Sequence, residues 1–448
     1  MTATHNDTTV DNVTTVDAAD NVEAPAAATL ETTVVAGSIL PVAARIASFS
    51  PKAADGSAAP ALSVGAVDGN LTLLYRHKDL SQGEVAHMAL TLPAKTTGEG
   101  MLGLNPRDFA NLVKGVAPLG TSKAAKAAEL RLSCDNSATL TVDGDVRVDA
   151  PAVVEQGDDK GDDDKERTWE PLGEMSYQDL TEGLELVRRA ASTDMTLPML
   201  RGVSLEFSAN ELVMVTTDRF RMAVHRIAGT FTVDHEGVSD QHPLVPTATL
   251  LFLRDMVKLT GEDTLRLSIS RDRQQALRIE TDMVDMEINC IDSHFPNWKR
   301  LMPDTMTAAV TVDRKALATK IKQMARAIPG RWAQVRLNVD GDTLTLTGLS
   351  GNYKGEEVRV TGEVSATTIG SLTMIAFNPS YMLDALDSLV DDKVTFMLAG
   401  PDRPGLIVDN KQVADALAEM PTGTFDGGSQ PVPNTDSKIL LMPARLAS

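Results

Sequence analysis

The 448-residue sequence has few cysteines and no long hydrophobic run. Its two cysteines, Cys134 and Cys290, lie in unrelated contexts, which predicts two reduced, buried thiols rather than a disulfide or a metal site. The most apolar stretch, 250–253, stops at Arg254, far short of the ~20 apolar residues that a membrane-spanning helix needs. The first residues lack the basic and apolar segments of a secretion signal, so we expect a cytoplasmic protein.

Basic residues are also scarce, because 42 Lys and Arg face 62 Asp and Glu, for a net charge of −20. Much of this excess is local. Residues 1–31 contain six acidic residues and no Lys or Arg, and residues 155–170 contain eight acidic and three basic residues. We interpret 1–31 as a disordered acidic tail and 155–168 as an acidic linker or loop. The charge of the remaining chain therefore does not exclude nucleic acid as a partner.

One pattern occurs three times along the rest of the chain, in the order helix, tight turn between β-rich runs, and second helix. The first helical stretches cover 39–46, 177–190 and 313–327. The turns are Asp68-Gly69, Asn210 and Asp340-Gly341, and the prolines that open the second helices are Pro106, Pro246 and Pro379. Turn and proline are separated by 37, 36 and 38 residues. This regularity predicts an α+β protein made of three duplicated domains, which we call the first repeat (32–154), the second repeat (169–303) and the third repeat (304–448).

No catalytic motif accompanies the repeats. The sequence has no Walker loop, no H-E-x-x-H and no G-x-S-x-G, and His225 and His294 have no nucleophile in a recognisable frame. Two predicted helices are basic, with net charges of +5 over 313–331 and +3 over 106–126. Basic helix faces can oppose DNA phosphates without reading sequence, so we expect a binding scaffold, without catalysis, cofactor or metal.

Five segments carry a family resemblance. They are 191–203 (A-S-T-D-M-T-L-P-M-L-R-G-V), 215–223 (V-T-T-D-R-F-R-M-A), 295–303 (F-P-N-W-K-R-L-M-P), 377–386 (F-N-P-S-Y-M-L-D-A-L) and 440–446 (L-L-M-P-A-R-L). In this order they resemble motifs of the bacterial sliding clamps, the beta subunits of DNA polymerase III. The resemblance implies a DNA clamp fold that closes as a head-to-tail homodimeric ring around duplex DNA, with twelve helices lining the hole. It also implies a processivity factor in DNA replication.

The resemblance further implies that replicative polymerase, clamp loader and repair proteins bind through a short linear peptide in a groove between the second and third repeats. Carried over motif by motif, the groove residues are Leu200, Thr217, Arg219, Phe220, Arg221, Met222, Pro296, Arg300, Leu301, Pro404, Leu440, Met442, Pro443, Ala444, Arg445 and Leu446. We predict as DNA-facing Lys52, Arg188, Arg189, Lys320, Lys322 and Arg326. For the dimer seam we predict Ile328 and Trp332, against an edge strand of the first repeat.

The sequence departs from the family pattern in the groove. Arg219 stands where the family usually has a small residue, and Ala444 replaces a larger apolar residue. These departures motivate the hypothesis of a specialised or phage-encoded clamp, tuned to its own partners or resistant to groove-directed inhibitors. The net charge of −20 keeps open an alternative, a clamp-fold decoy that binds clamp partners without encircling DNA.

Overall fold

A computed structural model describes most of the chain. The described residues are 30–50, 61–76, 85–98, 100–134, 139–151, 153–154, 167–232, 242–272, 275–328, 332–353, 356–371, 374–420 and 428–444. Within these ranges the helices are α1 (Ala36–Phe49), α2 (Pro106–Val116), α3 (Lys123–Lys126), α4 (Tyr177–Val187), α5 (Thr247–Thr260), α6 (Arg314–Ala327), α7 (Pro379–Ser388) and α8 (Ala414–Ala418). The two long helices expected for each repeat are thus α1 and α2, α4 and α5, and α6 and α7.

The strands of the first repeat are β1 (Leu30–Val35), β2 (Ala61–Val67), β3 (Asn70–Arg76), β4 (Val85–Leu92), β5 (Lys95–Thr97), β6 (Gly100–Leu104), β7 (Glu129–Cys134), β8 (Thr139–Asp143), β9 (Arg147–Pro151) and β10 (Val153–Val154). Those of the second repeat are β11 (Glu170–Ser176), β12 (Gly202–Ser208), β13 (Glu211–Thr217), β14 (Arg221–Ala228), β15 (Leu244–Pro246), β16 (Thr264–Ser270), β17 (Ala276–Glu280) and β18 (Val284–Asn289). Those of the third repeat are β19 (Thr305–Met306), β20 (Ala308–Asp313), β21 (Trp332–Asp340), β22 (Thr343–Tyr353), β23 (Glu356–Gly370), β24 (Ile375–Phe377), β25 (Lys393–Leu398), β26 (Gly405–Asp409), β27 (Gln430–Pro431) and β28 (Ser437–Leu441).

Local sequence explains where the helices begin. In α2 and α7 a proline occupies the first turn, and the preceding asparagine accepts a backbone N–H of that turn. Asn105 accepts from Arg107 and Asn378 from Ser380, both at 2.9 Å. Pro106 and Pro379 thus open their helices as predicted, because proline has no N–H to leave unsatisfied there. Pro246 instead ends β15 and immediately precedes α5.

All strand pairs in the three large sheets are antiparallel, and each repeat contributes two three-stranded meanders. In the first repeat these are β2-β3-β4 and β7-β8-β9, in the second β12-β13-β14 and β16-β17-β18, and in the third β21-β22-β23 and β25-β26-β28. The fold is therefore α+β with three tandem domains, as predicted.

The repeats are joined by continuous sheet, in the same way at both junctions. Strand β4 of the first repeat pairs with β18 of the second, in a nine-stranded sheet of order β10-β6-β2-β3-β4-β18-β17-β16-β11. Strand β14 of the second repeat pairs with β28 of the third, in a twelve-stranded sheet of order β15-β12-β13-β14-β28-β26-β25-β20-β23-β22-β21-β24. At each junction the last strand of one repeat's first meander meets the last strand of the next repeat's second meander.

The sheet at the junction between the second and third repeats is buried on both faces. Along β13, Leu212 and Met214 pack into the main core, which contains the long helices, whereas Val213 and Val215 point to the other face. That other face carries a second core cluster, which includes Met222, Leu440 and Trp298. Both cysteines are buried without a disulfide, as predicted.

Candidate functional site

The turn 218–220 connects β13 to β14 at the edge of the second core cluster. The Asp218 carboxylate accepts the backbone N–H groups of Phe220 and Arg221, both at 2.9 Å, and its second oxygen accepts from Arg221 Nε at 2.9 Å. Thr217 closes the turn by donating its hydroxyl to the Arg221 carbonyl at 2.8 Å. These bonds leave Arg219 and Phe220 directed to solvent, with Phe220 53% exposed.

Arg219 adopts a left-handed backbone conformation, with φ of 80°. For a residue with a Cβ atom this conformation costs roughly 1–2 kcal/mol, and only Gly, Asn or Asp adopt it readily. The turn thus keeps a conformation that suits glycine while carrying an arginine, which fits the departure noted in the sequence.

The chain after β28 forms the opposite wall of the site. The Met442 N–H donates to the Phe220 carbonyl at 2.9 Å, and the Ala444 N–H donates to the Ala376 carbonyl of β24 at 2.8 Å. The rings of Phe220 and Tyr381 are stacked, with centroids 6.4 Å apart. Residues from both repeats therefore surround one open apolar surface, which we call the groove.

An ion-pair network crosses the junction at the inner end of the groove. Arg221 of the second repeat pairs with Asp384 of α7, and Arg189 Nη1 lies 3.7 Å from the same carboxylate. The Arg221 guanidinium carbon also lies 4.5 Å from the centroid of the Tyr381 ring. Arg189, Arg221, Tyr381 and Asp384 line a small pocket there. Of these, only Arg221 was predicted as a groove residue.

Tyr381 and Asp384 could have been found from the sequence. Both belong to the motif 377–386, which indicated the family but was not used for site residues. They are three residues apart on α7, so both face the same side of that helix.

The structure divides the predicted groove residues by depth. Leu200, Thr217, Met222 and Leu440 are buried and form the floor or its support. Arg221, Pro404, Pro443 and Ala444 are half-buried, and Arg219, Phe220, Pro296, Arg300, Leu301 and Met442 are exposed. Arg445 and Leu446 lie outside the described residues.

The segment 295–302 reaches the groove through the second core cluster. Trp298 is 4% exposed and packs there with Met222 and Leu440, and its indole N–H donates to Glu206 at 2.5 Å. Because Trp298 is fixed, the 3-10 turn Trp298–Leu301 holds Arg300 and Leu301 at the surface of this cluster.

The three residues of α6 predicted to face DNA lie on two sides of that helix. Lys322 and Arg326 are exposed on one stripe of α6, whereas Lys320 lies about 200° from Lys322 around the helix. A Cβ on Gly362 of β23 would meet the Lys320 side chain, so the stem of Lys320 packs against the sheet. Lys52 lies outside the described residues.

Arg188 and Arg189 both have acidic partners in the structure. Arg188 Nε lies 2.9 Å from Glu185, one turn earlier on the same chain segment. Arg189 faces Asp384 in the pocket of the groove. Their predicted role toward DNA stays a prediction.

The predicted dimer seam is placed only in part. Ile328 is 4% exposed within its own chain, so it offers little surface to a partner. Trp332 is the first residue of β21.

Two strand edges have no partner in the described part of the chain. Strand β9 ends the five-stranded sheet β5-β1-β7-β8-β9, and in β23 residues 356–365 pair only with β22 among the described strands. These two strand edges are open.

Burial controls the pKa values of two groups near the junctions. His225 of β14 is held by burial at a pKa below its ordinary value, although Glu182, Asp436 and Asp179 act in the opposite direction. Its Nδ1 lies 2.8 Å from the hydroxyl of Ser437 on β28. Burial raises the pKa of the Cys290 thiol to about 12, so this thiol is protonated and unreactive at neutral pH.

Neither a metal cluster nor a membrane helix is found in the part of the chain that the structure describes. No group of three or more His, Cys, Asp or Glu side chains there could hold a metal ion. No helix in those ranges is long and apolar enough to cross a membrane.

Comparisons with known proteins agree with the fold of the second and third repeats. The family model for the central domain of the DNA polymerase III beta subunit matches residues 174–297, and the model for its C-terminal domain matches residues 299–422. The beta sliding clamp homolog GriR of Streptomyces muensis is 26% identical over 276 residues, which are 61% of this chain and 66% of the relative. That alignment thus spans just under two thirds of the relative's length.

Solved structures share the fold over nearly the whole chain. A beta sliding clamp from Caulobacter crescentus has a TM-score of 0.72 at 20% identity and covers 94% of this chain and 100% of its own. A sliding clamp from Pseudomonas aeruginosa, solved bound to griselimycin, has a TM-score of 0.72 at 18% identity, with 93% and 100% covered. The two matched domain models together take up more than half of the chain, and they include the turn 218–220 and helix α7 but end before β28. The chain belongs to the family of the DNA polymerase III beta subunit, the beta sliding clamps.

Proposed function

We propose that this protein is a DNA sliding clamp, which encircles duplex DNA and tethers a replicative polymerase and other replication or repair proteins by their linear peptides. The observation that carries the proposal is the groove itself. Phe220, Tyr381 and Met442 come from two repeats and leave an open apolar surface where the second and third repeats share a sheet. An adaptable floor of Met and Leu beside exposed aromatic residues suits a short peptide that inserts apolar side chains.

The proposed ring follows from the two junctions. Each junction joins the last strand of one repeat's first meander to the last strand of the next repeat's second meander. Two such last strands have no partner of this kind within the chain, namely β23 of the third repeat and β9 of the first. A second copy could pair its β9 with the open part of β23, and the same contact repeated would close a two-chain ring by symmetry. Such a ring has six domains and twelve long helices. We therefore propose β9 and β23, rather than Ile328 and Trp332, as the centre of the dimer seam.

DNA would be held loosely inside this ring. Lys322 and Arg326 extend from one side of α6, where they can contact phosphates in any register. Contacts of this kind carry no sequence information, and they let a ring slide. We further propose that the protein has no catalytic activity of its own, and that it acts in the bacterial cytoplasm, where replication takes place.

The groove is tested by titrating a fluorescent peptide of the type Gln-Leu-x-Leu-Phe and measuring its anisotropy. We expect saturable binding that is lost in Met442→Asp, because a carboxylate would then enter the apolar surface, and weakened in Arg300→Ala. Val390→Asp is the matched control, since Val390 is an exposed apolar residue outside the groove. Equal binding by Met442→Asp and Val390→Asp would contradict the proposed groove.

Two alternative functions each have one specific observation in their favour. The net charge of −20 favours a decoy that binds clamp partners without encircling DNA, and a stable monomer in solution would support it. Arg219 and Ala444 favour a specialised clamp, resistant to groove-directed inhibitors. Equal affinity of a standard clamp peptide for this protein and for an ordinary clamp would contradict the second alternative.

A further inference from the structure

Arg219 places a positive charge on the apolar wall of the groove. Its guanidinium carbon lies 5.9 Å from the centroid of the Phe220 ring, and both side chains are exposed. The left-handed backbone at this position costs free energy that glycine would avoid. The arginine is thus held beside the groove in spite of the local backbone preference.

This charge is only weakly offset by its neighbours. Asp218, the adjacent residue, uses its carboxylate for Arg221 and for two backbone N–H groups. Arg219 makes no ion pair with any other residue in the described ranges. Asp194 is a nearby acid, and hydrogen bonds from the hydroxyl and backbone of Thr196, at 2.7 and 2.9 Å, lower the pKa of its carboxyl most, with a smaller contribution from the Arg219 charge. A guanidinium fork is therefore available at the surface where a peptide would lie.

We propose that Arg219 selects peptides that carry a carboxylate side chain next to the apolar residue covering Phe220. The inference rests on the proposed peptide-binding function of the groove. A guanidinium recognises a carboxylate with two parallel hydrogen bonds, which an amide of the same shape cannot match. The whole chain is strongly acidic, so at long range it repels acidic peptides and favours neutral ones. A local cation is needed to reverse this preference for neutral peptides.

The test compares two labelled peptides that differ in one group, Gln-Leu-Glu-Leu-Phe and Gln-Leu-Gln-Leu-Phe. Their dissociation constants are measured by anisotropy at about 50 mM salt, where exposed charges are weakly screened. We expect the unaltered protein to bind the Glu peptide up to about fivefold more tightly. Arg219→Asn should lose this preference and bind the Gln peptide at least as tightly, because the acidic chain then disfavours the Glu side chain. Asparagine tolerates the left-handed backbone, so the turn is retained. Arg219→Lys keeps the charge without the fork and should show an intermediate ratio.

Two further variants sharpen the comparison. Asp194→Asn removes an acid that opposes a bound carboxylate, and should increase the preference for the Glu peptide. Arg76→Gln, on an exposed strand residue of the first repeat, is the control and should leave the ratio unchanged.

The outcomes separate this inference from the proposed function. If both peptides bind but the ratio is the same in the unaltered protein and in Arg219→Asn, the role of Arg219 is refuted and the groove stands. If the unaltered protein binds neither peptide, the peptide-binding function is refuted, and the role of Arg219 with it.

Discussion

The guanidinium carbon of Arg221 lies 4.5 Å from the centre of the Tyr381 ring, across the junction between the second and third repeats. The same guanidinium pairs with Asp218 of its own turn and with Asp384 of α7. One arginine therefore links the turn, the aromatic wall and the neighbouring domain. The shape of the groove depends on this junction staying closed.

Replacing Asp384 by Asn should weaken both the junction and the groove. The change leaves Arg189 and Arg221 close together without the carboxylate between them, and Arg221 is only 14% exposed. Because Asp384 itself is 37% exposed, we expect a moderate loss of about 1–2 kcal/mol in the free energy of unfolding. Urea unfolding measures this loss, and Asp387→Asn, exposed on the same helix, is the control. A loss no larger than that of the control would show that the network contributes little.

The backbone at Arg219 makes a separate prediction about stability. Arg219→Gly removes the penalty of the left-handed conformation, so the protein should keep or gain stability, by up to about 1 kcal/mol. Arg219→Val places a β-branched residue in the same conformation and should cost about 1–2 kcal/mol. Thermal or urea unfolding of the two variants gives the difference. If valine were tolerated as well as glycine, the turn would have to adopt another conformation in solution.

The basic stripe of α6 should contribute to DNA binding through charge alone. Replacing Lys322 and Arg326 by Ala should weaken binding of a labelled duplex and reduce the slope of log K against log salt by about 1–2, since each phosphate that the protein neutralises adds about 0.9 to this slope. The reduction should be the same for unrelated duplex sequences. Lys320→Ala, on the opposite side of the same helix, is the matched control. A larger effect from Lys320→Ala would contradict the assignment of the Lys322 and Arg326 stripe as the DNA-facing side of α6.

His225 should make the junction sensitive to acid. Burial lowers its pKa in the folded protein below the ordinary 6.5, so the unfolded chain binds the proton first as the pH falls. Stability from this group is therefore complete above about pH 6.5 and decreases as the pH falls toward the folded pKa. Urea unfolding at about pH 7.5 and about pH 5.5 should show a smaller loss in His225→Gln than in the unaltered protein. His294→Gln, at an exposed site, should behave like the unaltered protein. An equal loss in His225→Gln would exclude His225 as the cause.

Local signals in the sequence predicted much of the fold. The Asn-Pro starts of α2 and α7 and the Asp68-Gly69 turn depend on residues close in the chain, where backbone preferences act directly. The β-rich run after the Asn210 turn likewise forms β13, although its burial between two core clusters was not predicted. Family motifs, rather than spacing, indicated the groove.

What the sequence did not predict depends on how distant segments meet. Nothing in the net charge of α6 says which of its lysines faces the sheet, because that follows from the packing of the helix on β23. Arg189 lies 3.7 Å from Asp384, almost two hundred residues later in the chain, and this contact was not predicted. Such contacts between two repeats depend on the register in which β14 pairs with β28, and no local sequence pattern specifies that register.

The mass of the protein in solution tests the central claim, that two chains close into a ring. Sedimentation or native mass spectrometry over a wide range of concentration should give twice the chain mass of 47.9 kDa, since we propose that the open edges of β9 and β23 pair between copies. A species that remains at 47.9 kDa at every concentration would contradict the ring and favour the decoy.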